Sequence, residues 1–550
     1  MRSVQIFMAM TTKGGDYVLL RKKIDELNEA FDSDPRKVEE LLPDFEDLNF
    51  ELLMMPQLKN QDELTLVAEG KPVSFGVIKG RLATDQDSAP QMLTSGSDVI
   101  LYREKFEASD ANLFSKVVGL LSSREDATSH LSIVARSLGK PMLTNILSSD
   151  SNAGLLSKDS LIRPGDEVTI VSTPLKANGE VYFGASVIEH LEIPESFFSL
   201  LNHLREYSRL DVGGYADSPD EAQQAVRFGA KHLWPRVEAM FFDCDRLKVL
   251  RRLFIASVTG HEWSKAATEA EDILTQELGD LFITSKDCPL KIRLLDPPIH
   301  EFLPKNPIEI NELCDASRLS KGEITDWIET SSEDNPMLGH RGVRLMVTTP
   351  ELAMVQLRAI KRAALVANSV LNQPVRINIL LPMTVDRKEI QFIREMANEV
   401  FSDMCGGYNL GTMIETPRAV LKSNDLAQVV DFFSLGTNDL TAFTFGFSRG
   451  DVMEKFLYQY LEEEILEDNP FVSIDSAVAE LIQMTVDRAR AINPNLSIDL
   501  CGEQSHDART IEFCARAGIS SISCSPNRIP VALLIAAKVE IKLRDKTHDI

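Results

Sequence analysis

No apolar stretch of this 550-residue chain reaches the roughly 18 residues of a membrane-spanning helix, so the sequence predicts no membrane segment. Basic residues are scarce beside acidic ones: 58 Lys and Arg against 83 Asp and Glu give a formal net charge of -25. Such a surface repels nucleic acid and anionic membrane at long range, so an anionic metabolite must be met by a local nest of arginines. Cysteine is also sparse. The 7 residues Cys244, Cys288, Cys314, Cys405, Cys501, Cys514 and Cys524 show no regular pairing or metal-ligand spacing. With no disulfide framework and no basic-then-apolar leader ahead of them, they indicate a reduced, cytoplasmic protein. Short internal repeats and low-complexity tracts are missing too.

What is present divides by texture. Residues 1–64 read as a helical lead-in and linker, with Leu20, Ile24, Leu27 and Phe31 at three- and four-residue steps. Residues 65–188 turn to short β-rich runs punctuated by glycine, at 72–80, 98–102, 119–122, 166–171 and 180–183, with one helix expected from near Thr128. Residues 189–210 are Leu-, Phe- and Glu-rich and read as a stiff linker helix. Across 211–550, strand-like runs begin at Leu210, His232, Lys291, Arg376, Gly411, Asp431, Ser497 and Ser520, alternating with helical ones. That pattern predicts an α/β chain: a smaller α/β domain followed by a (β/α)8 TIM-type barrel.

The polar residues of interest fall just after those strands, where such barrels carry their sites. Glu415 follows Gly411-Thr-Met-Ile414, and Gly436-Thr437-Asn438-Asp439 follows the run from Asp431 to Leu435. Each acid alone reads as an N-cap or a solvated loop carboxylate; together they suit Mg2+, which keeps water and substrate oxygens as its other ligands. Arg236, Arg293, Arg341 and Arg449 also sit at strand ends or nearby loops, where guanidinium forks match phosphate and carboxylate oxygens. Cys501 ends the run from Ser497. A buried cysteine is usually packing, but at a barrel strand end its thiol can exchange a proton with an enolate. In the smaller domain, Thr128-Ser-His130 precedes an apolar helical run; alone it reads as a capping or core histidine, or as a phosphate carrier at a helix start.

Several stretches in sequence order resemble the phosphoenolpyruvate (PEP)-utilising phosphotransferases, with the dikinase members nearest. They are Arg293-Leu-Leu-Asp-Pro-Pro-Ile-His-Glu-Phe-Leu-Pro304, Asn335-Pro-Met-Leu-Gly-His-Arg-Gly342, Gly411-Thr-Met-Ile-Glu-Thr-Pro-Arg-Ala419, Phe432-Phe-Ser-Leu-Gly-Thr-Asn-Asp-Leu-Thr441, Thr444-Phe-Gly-Phe-Ser-Arg449 and Cys501-Gly-Glu503. The resemblance implies that 65–188 is a swivelling phosphohistidine domain and that the barrel binds PEP and pyruvate. It further implies that Arg236, Arg293, Arg341, Arg449, Glu415, Gly436, Thr437, Asn438 and Asp439 hold substrate, that Glu415 and Asp439 hold Mg2+, and that His130 and Cys501 are catalytic. A homodimer is implied as well.

Three departures accompany it. The chain starts after the position of a dikinase's nucleotide-binding domain, so a separate nucleotide-binding or phosphoryl-acceptor protein is expected. Two glycines usual before Thr-Ser-His are replaced by Glu125-Asp126, and a glycine-containing run before Arg236 by His232-Leu-Trp-Pro. The alternatives are a PEP-binding regulatory protein without transfer activity, and a phosphotransferase like Enzyme I of the sugar phosphotransferase system.

Overall fold

Apolar residues at helical spacing produce the helix Gly15–Ser33, followed by Pro35–Leu41, whose N-cap Asp34 accepts a hydrogen bond from the Arg36 N–H. The computed structural model describes residues 15–45, 50, 56–59, 64–84, 88–106, 111–114, 116–124, 140–148, 162–173, 178–189 and 193–548, apart from positions 243, 305 and 405. Contacts group the chain into two units, Met1–Glu26 with Pro43–Phe197, and Leu27–Leu42 with Phe198–Ile550.

The first unit contains β1 (Gln57–Leu58), β2 (Thr65–Ser74), β3 (Gly76–Ala83), β4 (Val99–Arg103), β5 (Gly119–Ser122), β6 (Met142–Ser148), β7 (Glu167–Ser172), β8 (Gly179–Phe183) and β9 (Ile188–Glu189). Strands β2-β6-β5-β4-β3-β7-β8 close on themselves, and β1 pairs with β9. The pairs β3–β4, β4–β5 and β5–β6 are parallel and the rest antiparallel. Leu82, Ile100, Leu121, Leu143, Ile170 and Val181 fill its centre, so burial of alternate apolar residues drives closure. The single run expected at 72–80 is two strands separated at Phe75, and β6 is an addition to the runs read from sequence. The helix expected near Thr128, together with His130 and Glu125-Asp126, lies outside the described residues.

In the second unit β10 (Asp211–Tyr215), β11 (Leu233–Trp234), β12 (Leu290–Arg293), β13 (Ile377–Leu381), β14 (Asn409–Ile414), β15 (Phe432–Gly436), β16 (Ser497–Cys501) and β17 (Ser521–Cys524) form a closed barrel in chain order. Every neighbouring pair is parallel, from β10–β11 round to β10–β17. All of these strands coincide with runs expected from sequence, including β11, where His232-Leu-Trp-Pro stands. Trp234, Leu380, Met413, Phe432 and Cys501, with Tyr215 against them, make one apolar cluster drawn from six strands. Side chains on so many strands of a closed sheet meet only inside it, so this cluster is the barrel core. Beside it, the Lys291 ammonium is ion-paired with the buried Asp499, which also accepts from Ser521 Oγ at 2.6 Å. Among the described residues no helix is long and apolar enough to cross a membrane.

Candidate active site

Each candidate side chain is delivered by a strand end and pinned by the loop after it. Arg293 closes β12, and three residues on, the Asp296 carbonyl accepts the Gly342 N–H at 3.0 Å, holding the Arg341 loop against it. Glu415 is the first residue beyond β14. Thr416 then caps the helix Pro417–Leu421 by accepting the Ala419 N–H at 3.2 Å, which fixes the Glu415 backbone. β15 runs directly into the helix Thr437–Phe445, so Asn438 and Asp439 stand in a first helical turn rather than in an extended loop. Glycine suits position 436, because a Cβ there would lie 2.8 Å from Glu415 Cβ.

The arginines and acids converge in an alternating chain of charge. Arg341 grips Asp296 through Nη2–Oδ2 at 2.7 Å and reaches Asp439 through Nη1–Oδ1 at 3.2 Å. Arg293 Nη1 lies 3.3 Å from the same Asp296 Oδ2, and its other edge is paired with buried Glu238. Burial opposes the Arg293 charge, but Glu238, Asp296 and Glu415 outweigh it and hold the guanidinium above the usual arginine range. The balance is still acidic. Two guanidiniums, Arg293 and Arg341, face four carboxyls, Glu238, Asp296, Glu415 and Asp439.

Glu415 is fully buried, with one oxygen accepting the Met383 N–H at 2.5 Å and Oε2 without a hydrogen-bond partner. Burial, then the nearby Asp439 and Asp296, push its carboxyl well above the ordinary range. Asp439 is raised too, by burial first, against the pull of Arg341. Two mutually repelling carboxylates, one with an orphaned buried oxygen, suit a small hard cation. Among the described residues no three His, Cys, Asp or Glu side chains converge as a cage. Two carboxylates are nevertheless a sufficient protein contribution for Mg2+, whose remaining positions go to water and substrate.

Cys501 ends β16 with a buried thiol that donates to the Leu435 carbonyl at 3.4 Å and lies 3.4 Å from Ser434 Oγ. Burial pushes it up to about 12, so it stays a protonated thiol at neutral pH. Beyond it, Thr437 Oγ1 sits 3.0 Å from the Cys501 carbonyl and 2.7 Å from Gln504 Oε1, and Asn438 Oδ1 accepts the Glu503 N–H at 3.2 Å. Arg449 is ion-paired with Glu503, which ties it to the same turn. Arg236 follows β11 beside Arg293, its Nε donating to Asp217 Oδ2 at 3.0 Å.

The structure thus brings together Arg293, Arg341, Glu415 and Asp439, and beside them Gly436, Thr437, Asn438, Cys501 and Arg449. Arg236 joins through its bridge to Arg293, while His130 is outside the described residues. Sequence reading missed the acids that orient the arginines: Asp217, Glu238 and Asp296. A faint signal existed, since Asp296 stands three residues after Arg293 and Glu238 two after Arg236. Gln504, whose amide bonds Thr441 Oγ1 and the Pro470 carbonyl, carried none.

Residues 195–541 match the family model for the PEP-binding domain of PEP-utilising enzymes, and residues 96–172 match the mobile domain of the same enzymes. The chain belongs to the PEP-utilising enzyme family. It is 34% identical to pyruvate, phosphate dikinase of Rhizobium meliloti (strain 1021) over 92% of this chain and 57% of that protein. It is 35% identical to pyruvate, phosphate dikinase 1 of Oryza sativa subsp. japonica, over 88% of this chain and 52% of the relative. A relative of the same name from Rickettsia bellii (strain RML369-C) is 34% identical over 87% and 55% respectively. The chain therefore spans about half the length of the curated relatives it matches.

Proposed function

We propose that this PEP utiliser exchanges a phosphoryl group between PEP and His130, with Mg2+ as cofactor and a separate nucleotide-binding or acceptor protein completing the reaction. The convergence of Arg293 and Arg341 on Asp296, Asp439 and Glu415 is the observation that carries this reading. Residues 65–188 would carry His130, and residues 211–550 would hold the substrate. The arginines, Asn438 and the Gly436–Thr437 backbone bind the phosphate and carboxylate, all four arginines being already paired with acids.

Glu415 and Asp439 would hold Mg2+, which when bound would supply positive charge to neutralise the phosphoryl group and the enolate oxygen. His130 attacks phosphorus, and the P–O bond breaks to leave the enolate of pyruvate. Cys501 then gives up its S–H proton to the methylene carbon. A C–H bond forms, the enolate closes to the ketone, and the electron pair stays on sulfur until solvent reprotonates it. A thiol held near 12 is suited to this donation because it is fully protonated beforehand.

Isotope exchange tests the proposal without any nucleotide. Labelled pyruvate incubated with unlabelled PEP, Mg2+ and the full chain is expected to pass label into PEP, and His130→Ala to abolish the exchange. Tight PEP binding by calorimetry with no exchange in the wild type would contradict it and indicate a PEP-binding regulatory protein.

A further inference from the structure

Protonation of a planar enolate from one face requires a donor held still: contacts to the Leu435 carbonyl and Ser434 Oγ hold the Cys501 thiol, and its backbone sets the direction of the Cα–Cβ bond that carries it. The peptide after Cys501 is fixed in an unusual way. Gly502 has φ +140, and a Cβ there would lie 2.1 Å from Thr437 Oγ1, so the chain passes this point with no room for a side chain. From one side, Thr437 Oγ1 contacts the Cys501 carbonyl at 3.0 Å. From the other, Tyr215 at the end of β10 reaches past β17, and its hydroxyl accepts the Gly502 N–H at 2.7 Å. The Gly502 carbonyl is engaged by Ser505 Oγ at 2.7 Å, which leaves the N–H as the shorter contact of the phenol, whose distance to that carbonyl is 3.4 Å. The Tyr215 ring packs on the cluster containing Cys501, Trp234, Leu380, Met413 and Phe432, so the hydroxyl has a rigid base. Burial also pushes the phenol upward, keeping its hydroxyl neutral.

We propose that Tyr215 is a positioning residue: its hydroxyl anchors the Gly502 peptide and so restricts the Cys501 thiol to one face of a three-carbon enolate. This inference rests on the phosphotransfer reading above, and it links a barrel strand six strands earlier in the chain to the stereochemistry of proton delivery. Tyr215 itself exchanges no proton with substrate.

Tyr215→Phe in the full chain keeps the ring and removes only the anchor. Solvent-deuterium exchange into the methyl group of pyruvate is expected to fall by on the order of 10- to 100-fold. PEP-dependent labelling of His130 and the KM for PEP are expected to stay within about twofold, because the arginine and acid cluster is untouched. PEP stereospecifically tritiated at its methylene carbon, turned over in deuterium oxide, is expected to give chiral methyl groups with wild type and largely racemic ones with the variant. Wild-type exchange rate and chirality in Tyr215→Phe would overturn the proposal, and so would lost exchange with chirality intact, which means that the rest of the site and not the Tyr215 anchor selects the face. Alkylation of Cys501 by iodoacetamide gives a readout independent of turnover. Faster alkylation in Tyr215→Phe supports the anchor even if wild type neither exchanges nor labels, an outcome that sinks the phosphotransfer reading alone; unchanged alkylation overturns the anchor.

Discussion

Arg341 Nη1 lies 3.2 Å from Asp439 Oδ1, joining a guanidinium suited to substrate oxygens to a carboxylate suited to metal. With the other edge of Arg341 on Asp296, one cation serves two acids inside a mostly buried site. Removing it by Arg341→Met leaves both acids short of charge and is expected to cost about 3–5 kcal/mol of barrel stability. Urea denaturation measures the loss, and added Mg2+ is expected to restore part of it, since a cation at Asp439 compensates the missing one.

The raised carboxyls of Glu415 and Asp439 set a pH dependence whose sign is fixed. Their folded values lie above the ordinary 4.5 and 3.8, so without metal the folded barrel keeps protons that the unfolded chain loses. That contribution is complete below the ordinary values and is lost as pH rises through the folded ones. Binding of Mg2+ replaces those protons, so the Mg2+-induced rise in Tm is expected to grow from about pH 5 to about pH 8. Glu415→Gln is expected to flatten the metal-free pH profile and shrink the Mg2+ increment. An increment that falls with rising pH would contradict this.

Cys501→Ala separates the two halves of the chemistry. Methyl-hydrogen exchange of pyruvate is expected to drop by about 10²- to 10⁴-fold, the usual worth of a positioned general acid, while label transfer from PEP to His130 persists. Nuclear magnetic resonance in deuterium oxide follows the first, and gels quenched and run at alkaline pH the second.

Deeper in the barrel, Lys291 and Asp499 form a buried ion pair beside His232, whose imidazole is pushed down to about 3 by burial and then by Lys291. Lys291→Met strands Asp499 and is expected to cost about 3–5 kcal/mol, whereas Lys291→Met with Asp499→Leu is expected to recover most of that. A double-mutant cycle by urea denaturation checks the coupling.

Sequence foretold the large barrel well because each strand is a short apolar run bounded by turn residues, and parallel strands with covered faces write themselves that way. The positions of Glu415, Asp439 and Cys501 were legible for the same reason, since Glu415 and Asp439 fall just beyond such runs and Cys501 closes one. The smaller unit was harder. β6 has no glycine to mark it and carries Asn145 at φ 50, so Met142–Ser148 lacks a clean strand signature. Partners were hardest. Which acid orients Arg236 or Arg341 depends on contacts 19 and 45 residues away in sequence, and the Tyr215 anchor spans 287. Periodicity holds no trace of such pairings, which exist only once the barrel has closed.

The phosphoenzyme itself decides between phosphoryl transfer and binding alone. The 550-residue chain is incubated with Mg2+ and PEP radiolabelled in its phosphoryl group, then resolved under conditions that preserve phosphohistidine. One acid-labile, base-stable label is expected on wild type, chased by pyruvate and absent from His130→Ala. No label on wild type, where a pyruvate, phosphate dikinase treated in parallel is labelled, would contradict it.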